Sequence, residues 1–285
     1  MKTRTLTPFG LAALLTVGFG SQASAGIFSS NFDMLVVAER ADGLHAPTGP
    51  APFAALDGGF IEAGDPIAGD TPPSPAVVGQ SLQSALSNQG YQLAGSAPSV
   101  VLTYHWGVLR IDHRQIRIPY GIKTNLEARI ELVSTSQLGA EVENHILLKE
   151  KGPGMNSDAA APRLLVGPTE TVAEDARQPR IFIIVSAYDY QGLLHRETKL
   201  LWRVKLSARE QSGRMDEVIP GLLAGGAPFF GQDVTVPKIV ETTPRAVPAA
   251  ASPSTAATAE SLGLDRQFID ALLRHEHVTF SGYTE

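Results

Sequence analysis

The run Ile181-Phe182-Ile183-Ile184-Val185-Ser186-Ala187-Tyr188 carries no charge and is bounded by Arg180 and Asp189. A short continuous apolar stretch rich in β-branched residues is the pattern of a central strand covered on both faces. Downstream, Leu200, Trp202, Val204, Leu206 and Ala208 alternate with Lys199, Arg203 and Lys205. Period-two alternation predicts a strand with one buried and one solvated face. Upstream, Val100, Leu102, Tyr104, Trp106 and Val108 alternate in the same way with Thr103, His105 and Gly107. In Thr124–Ser134, Leu126, Ala128, Ile130 and Leu132 stand opposite Glu127, Arg129 and Glu131. That segment reads as a further strand, paired with Val100–Val108 through the turn around Pro119-Tyr120-Gly121. Asp33–Ala38 is a short strand candidate, and Phe53–Leu56 and Phe60–Ala63 flank Asp57-Gly58-Gly59 as a hairpin or a bulged strand.

Helices are predicted beside these strands. Ser74 is a good N-cap, Pro75 suits a first turn, and Val78, Leu82, Ala85 and Leu86 make one apolar face before Gly90, giving a helix over 75–89. Thr169–Arg177 reads as a short helix. Met215, Val218, Ile219, Leu222 and Leu223 predict a helix over 214–224, kinked by Pro220 near Asp216 and stopped at Gly225-Gly226. The expected fold class is α/β (α+β): a two-layer, mostly antiparallel sheet packed by two main helices, followed by a C-terminal linker and a short helix. One domain is expected over 26–243, with its core at about 30–235. Pro244–Thr258 is Ala, Pro, Ser and Thr with almost no bulky side chain, the composition of a linker. In the remaining 259–285, Leu264, Phe268, Ile269 and Leu272 form one more apolar face. A helix of about 14 residues is marginal alone in water, so it is expected to dock on its own domain or on a partner. The domain is expected to fold without 244–285.

The 285 residues include no cysteine, 43% hydrophobic residues, and 29 acidic against 23 basic side chains. That balance fits one or two globular domains and excludes a fibre or a disordered polyelectrolyte. Zero cysteine excludes disulfides, Cys-ligated metals, thiol catalysis and lipid attachment at a lipobox cysteine. Lys2 and Arg4, then the apolar run Phe9–Phe19, then Ala23-Ser24-Ala25 follow the order of a secretory signal, with cleavage expected after Ala25. The apolar run is shorter than the roughly 20 residues a bilayer needs. A mature chain exported to the periplasm or beyond, without a transmembrane segment, is therefore expected. Its acidic balance argues against nucleic acid as a ligand.

The order of elements, with Gln89-Gly90-Tyr91 closing a helix, Ala187-Tyr188-Asp189 closing a strand, and Leu200-Leu201-Trp202-Arg203 ahead of a further helix, resembles a domain of unknown function. That domain is common in exported bacterial envelope proteins, many of them lipoproteins. The resemblance covers roughly residues 30–230 and implies a two-layer α/β fold and an envelope address, with no known reaction. The missing lipobox cysteine departs from it, so a lipid anchor is not implied.

The sharp catalytic motifs are absent: no G-x-x-x-x-G-K-[ST], G-x-S-x-G or H-E-x-x-H, and no EF-hand loop. On a strand, Glu127 and Glu131 would lie roughly 13 Å apart, beyond the separations glycosidases use, and they read as a solvated face that Lys199, Arg203 and Lys205 would meet. His105 and His113 would be more than about 20 Å apart. His275-Glu276-His277 has too few ligands for zinc and reads as a fraying end, so neither metal nor cofactor is expected. Asp189 starts a turn with Tyr190-Gln191-Gly192. The binding candidates are Arg110, His113, Arg114, Arg117, Tyr120 and Lys123, a basic stretch in an acidic chain suited to an anionic envelope polymer or an acidic envelope protein. Tyr104 and Trp106 share the apolar face of their strand and read as core. The leading expectation is a non-enzymatic envelope binding module. The alternative is an envelope hydrolase acting on glycan or peptide with groups such as Asp189 and His195.

Overall fold

The computed structural model describes residues 30–41, 51–67, 71–94, 97–111, 116–118, 121–123, 125–151, 167–245 and 256–281. Nine strands form among them, namely β1 (Phe32–Arg40), β2 (Pro52–Ala63), β3 (Gln92–Leu93), β4 (Val100–Leu109), β5 (Ile116–Ile118), β6 (Gly121–Lys123), β7 (Arg180–Asp189), β8 (Leu200–Arg209) and β9 (Lys238–Thr242). Seven run in one sheet of order β3-β2-β4-β7-β8-β1-β9, while β5 and β6 pair only with each other. All neighbours in the large sheet are antiparallel except β2 with β3 and with β4. The fold class is the expected α+β with a mostly antiparallel sheet.

The continuous apolar run is the middle strand. β7 lies between β4 and β8, and every residue from Arg180 to Tyr188 is buried. The Asp57-Gly58-Gly59 segment is a bulged strand and not a hairpin: the β2–β4 register shifts there, and Asp57 Oδ1 accepts from the Gly59 N–H at 2.9 Å. Gly59 has φ +91, a conformation that glycine adopts without a Cβ penalty.

One face of the sheet meets the two expected helices, α1 (Pro75–Ser87) and α6 (Met215–Gly226). Val78, Leu82 and Leu86 of α1 and Val218, Ile219, Leu222 and Leu223 of α6 join Tyr104, Trp106, Trp202 and Leu206 in one core. The opposite face is also covered. There stand α2 (Leu126–Val133), α3 (Gly139–Lys151), α4 (Pro168–Ala176) and the C-terminal α7 (Arg266–Ser281), with the short α5 (Tyr190–Leu194) closing β7.

This second layer corrects three expectations. Residues 126–133 are helix, not strand, so β4 pairs with β2 and β7, and β5 pairs only with β6. Leu-Glu-Ala-Arg-Ile-Glu-Leu-Val is made mostly of strong helix formers, and eight residues are too few for alternation to outweigh that. Glu127 and Glu131 are consequently one helical turn apart, about 6 Å between Cβ atoms, instead of 13 Å. Glu131 does meet Lys205, at 3.2 Å, but from a helix end: Lys205 Nζ also donates to the carbonyls of Glu131 at 2.7 Å and Ser134 at 2.9 Å, groups that a helix C-terminus leaves unsatisfied. Finally, the polar faces of β4 and β8 are not solvated. Thr103, His105, Lys205 and Ser207 are all buried.

Candidate functional site

The second face of the sheet holds two apolar clusters with a polar strip between them. Toward α2, α3 and α4 lie Ile61, Leu109, Phe182 and Ile184. Toward α5 lie Leu56, Val101, Tyr188 and Leu193. Between them the alternation of β4, β7 and β8 places Thr103 and His105, Ser186, and Arg203. Helix α7 spans the whole arrangement: Ile269 and Leu272 enter the second cluster, Phe280 enters the first, and Glu276 faces the strip. Asp265 caps its start by accepting from the Phe268 N–H at 2.9 Å, and Arg196 pairs with that same Asp265.

Glu276 is 2% exposed. Its Oε1 accepts from Tyr188 Oη at 2.8 Å and Arg203 Nη2 at 2.9 Å. Its Oε2 accepts from Thr103 Oγ1 at 2.7 Å and faces His105 Nε2 at 3.4 Å. Oε1 thus accepts two hydrogen bonds and Oε2 one, with His105 Nε2 standing beside Oε2 without a hydrogen bond of its own. Burial alone would raise its pKa, but the His105 and Thr103 contacts and the Arg203 charge outweigh that and bring it down to about 2. Tyr188 moves the other way: burial and the Glu276 charge push its phenol up, so it stays a donor. Arg203 is raised despite the opposing effect of burial, because Glu276 and Tyr188 favour its charge. Its guanidinium also lies 5.3 Å from the Phe280 ring centre, within cation–π range. His105 fits only because the bulge supplies Gly58: a Cβ there would stand 2.3 Å from the imidazole.

Chemically this is a clamp. A general base needs a pKa near the working pH, and that of Glu276 is held far below it. Beside it, between α7 and the β7–β8 edge, lies a cleft of about 430 Å³ with Arg203, Tyr188 and Glu276 at its polar end and Leu200, Phe268 and Leu272 among its walls.

The residues predicted from sequence are not brought together here. Arg110 is buried and ion-paired, with Nη1 2.7 Å from Glu62 Oε1 and Nε 2.6 Å from Glu210 Oε1; it is a structural cation, correcting its place among the binding candidates. Arg117 and Lys123 lie in the separate β5–β6 ribbon, opposite Ile122 and Ile116. His113, Arg114, Tyr120 and the cleavage residue Ala25 lie outside the described residues. Asp189 caps α5 by accepting from the Gly192 N–H at 2.8 Å, while exposed His195 turns its Nδ1 to the Gln191 carbonyl at 2.8 Å. Each serves its own turn, and no dyad forms between them. The turn read at Asp189 is therefore a capped helical turn. His275-Glu276-His277 is not a fraying end, since its middle residue is at the heart of the clamp, and His105 is core rather than strand surface. No group of three or more His, Asp or Glu arranged for a metal occurs among the described residues, and none of their helices is long and apolar enough to cross a membrane.

The meeting of Glu276, Arg203 and Tyr188 was not foreseen from the sequence, yet one signal was there. Ile269, Leu272, Glu276 and Phe280 fall at i, i+3, i+7 and i+11, so a lone carboxylate interrupts the apolar stripe of a helix. A charge in that position needs a buried partner.

No protein-family model and no curated protein matches the chain. Among solved structures, a dodecamer of a PelC point variant from Paraburkholderia phytofirmans is similar at 10% identity and a TM-score of 0.28, over 68% of this chain and 96% of that one. That likeness is too slight to bear on function.

Proposed function

We propose that this chain is an exported bacterial envelope protein that acts as a non-enzymatic binding module, holding an anionic envelope polymer on its basic segment around Arg117 and Lys123. It would be a relative of the envelope domain of unknown function that it resembles, working in the periplasm or beyond after cleavage at Ala25. The observation that carries the non-enzymatic reading is the engagement of Glu276: this buried carboxylate is held by Thr103, Tyr188 and Arg203 and stays ionised well below neutral pH, which suits a fixed counter-charge rather than a proton acceptor. The hydrolase reading loses its named groups as well, since Asp189 and His195 are spent on local turns. The basic segment supports the ligand class. It forms a two-stranded ribbon of its own, unpaired with the large sheet, in a chain whose formal charge is −6, so local positive charge there would steer polyanions.

Retention of the exported protein on an immobilised polyuronate at low salt tests this. Arg117→Glu together with Lys123→Glu should lower retention about tenfold with the melting temperature unchanged. Equal retention overturns the ribbon as the contact, as does capture of acidic proteins with no polymer binding. Turnover of a glycan or peptide substrate by the wild-type chain would restore the hydrolase. Sequencing of the exported protein should begin at Gly26, and Met1–Ala25 retained in a membrane fraction would sink the export reading.

A further inference from the structure

The cleft between α7 and the β7–β8 edge has an unequal supply of hydrogen-bonding groups. Its carboxylate, Glu276, is engaged by hydrogen bonds from Thr103, Tyr188 and Arg203. Its donors are not all so engaged. Arg203 gives Nε to Ser186 Oγ at 2.9 Å and Nη2 to Glu276 and, at 3.4 Å, to Tyr188, which leaves Nη1 without a hydrogen bond to any described residue. The Arg203 side chain is 19% exposed and lines the cleft. Thr198, at the mouth, is exposed and its hydroxyl makes no bond to a described residue either. The apolar part of the wall is Leu200 from the strand side and Phe268, Leu272 and Phe280 from α7; the same helix adds Thr279 and the exposed His275, the Thr279 hydroxyl donating to the His275 carbonyl at 2.9 Å. A ligand that fits must bring an acceptor for the guanidinium and the hydroxyl, and an apolar body for the wall. The volume of about 430 Å³ falls in the range of small-molecule sites.

We infer that this cleft is a binding site for a monocarboxylate with an apolar chain, its carboxylate on Arg203 Nη1 and Thr198 Oγ1 and its chain between Phe268, Leu272 and Leu200. A carboxylate suits a guanidinium edge better than a neutral oxygen does, because charge-assisted hydrogen bonds are roughly twice as strong. The site lies apart from the β5–β6 ribbon and stands independently of the polymer-binding reading.

Calorimetric titration of the full exported chain with decanoate tests it, with decanol and decyltrimethylammonium as matched probes. Decanoate should bind saturably at one site per chain and at least about tenfold more tightly than decanol, with no saturable binding of the cation. Ala271→Trp, at an exposed position of α7 on the cleft, should weaken decanoate at least about tenfold by filling the cleft while leaving the melting temperature unchanged. Thr198→Val, which removes one hydroxyl from an exposed site, should weaken it severalfold. Equal binding of decanol, tighter binding of the cation, no saturable decanoate binding, or full binding by both variants would each overturn the proposal.

Discussion

A chain ending at Thr258 is expected to lose its cooperative thermal transition. The linker composition predicted a detachable tail, but α7 is part of the core: Ile269, Leu272 and Phe280 are buried against the second face of the sheet. Burying three such side chains is worth about 1.5–3 kcal/mol each. Added to the loss of Glu276, this approaches the whole of the roughly 5–15 kcal/mol that stabilises a domain. Without α7 Thr103 and Arg203 also lose the carboxylate to which they donate. Circular dichroism on heating should show a broad, early loss of signal in the truncated chain. A sharp transition within a few degrees of the full chain would show that α7 is an appendage.

Glu276→Ala is the second large effect. It removes the acceptor for Thr103, Tyr188 and Arg203 at one stroke and leaves a half-buried guanidinium without its counter-charge. Breaking a buried pair from one side costs about 3–5 kcal/mol, which lowers the melting temperature of a domain this size by about 10 °C. Glu276→Gln should fall between, since its amide keeps one acceptor oxygen but turns a second donor toward existing donors. A loss under about 1 kcal/mol in Glu276→Ala would mean that the pair is no better than a surface salt bridge.

Much of the architecture is legible in the sequence. β7 was readable because a strand covered on both faces needs no polar side, α1 because its apolar spacing agrees with the capping Ser74 and with Gly90 after its end, and α6 because of its apolar stripe, although it starts from Arg214 without a side-chain cap and runs through Gly225-Gly226 instead of stopping there. The second layer was readable only in part: α4 and α7 were expected as helices, but α2 and the covering of the polar strand faces were not, and the covering escaped for a physical reason. Alternation reports polarity, and polarity normally reports solvent. Here the polar sides of β4 and β8 are buried because other buried groups satisfy them: Glu276 holds Thr103 and Arg203, and the end of α2 holds Lys205. Strand patterns cannot distinguish a polar side chain in water from one paired across a layer boundary. The same ambiguity hid Arg110, whose charge looked available and is consumed by Glu62 and Glu210. The candidate site was legible only in the apolar stripe of α7, where Glu276 is out of place.

The clamp also has a pH signature. The Glu276 pKa is depressed in the folded chain from an ordinary 4.5 to about 2, so its stabilisation is fully present above the unfolded value and lost as pH falls from about 4.5 to about 2. The difference corresponds to about 3 kcal/mol. The most direct test of the clamp is the ¹³C chemical shift of the Glu276 carboxyl, followed by NMR from neutral pH downward in the folded protein. The clamp requires this carboxyl to remain ionised at pH 3.5, where an ordinary glutamate is mostly protonated. A midpoint near 4.5 in the folded state would contradict a carboxylate held by Thr103, His105, Tyr188 and Arg203.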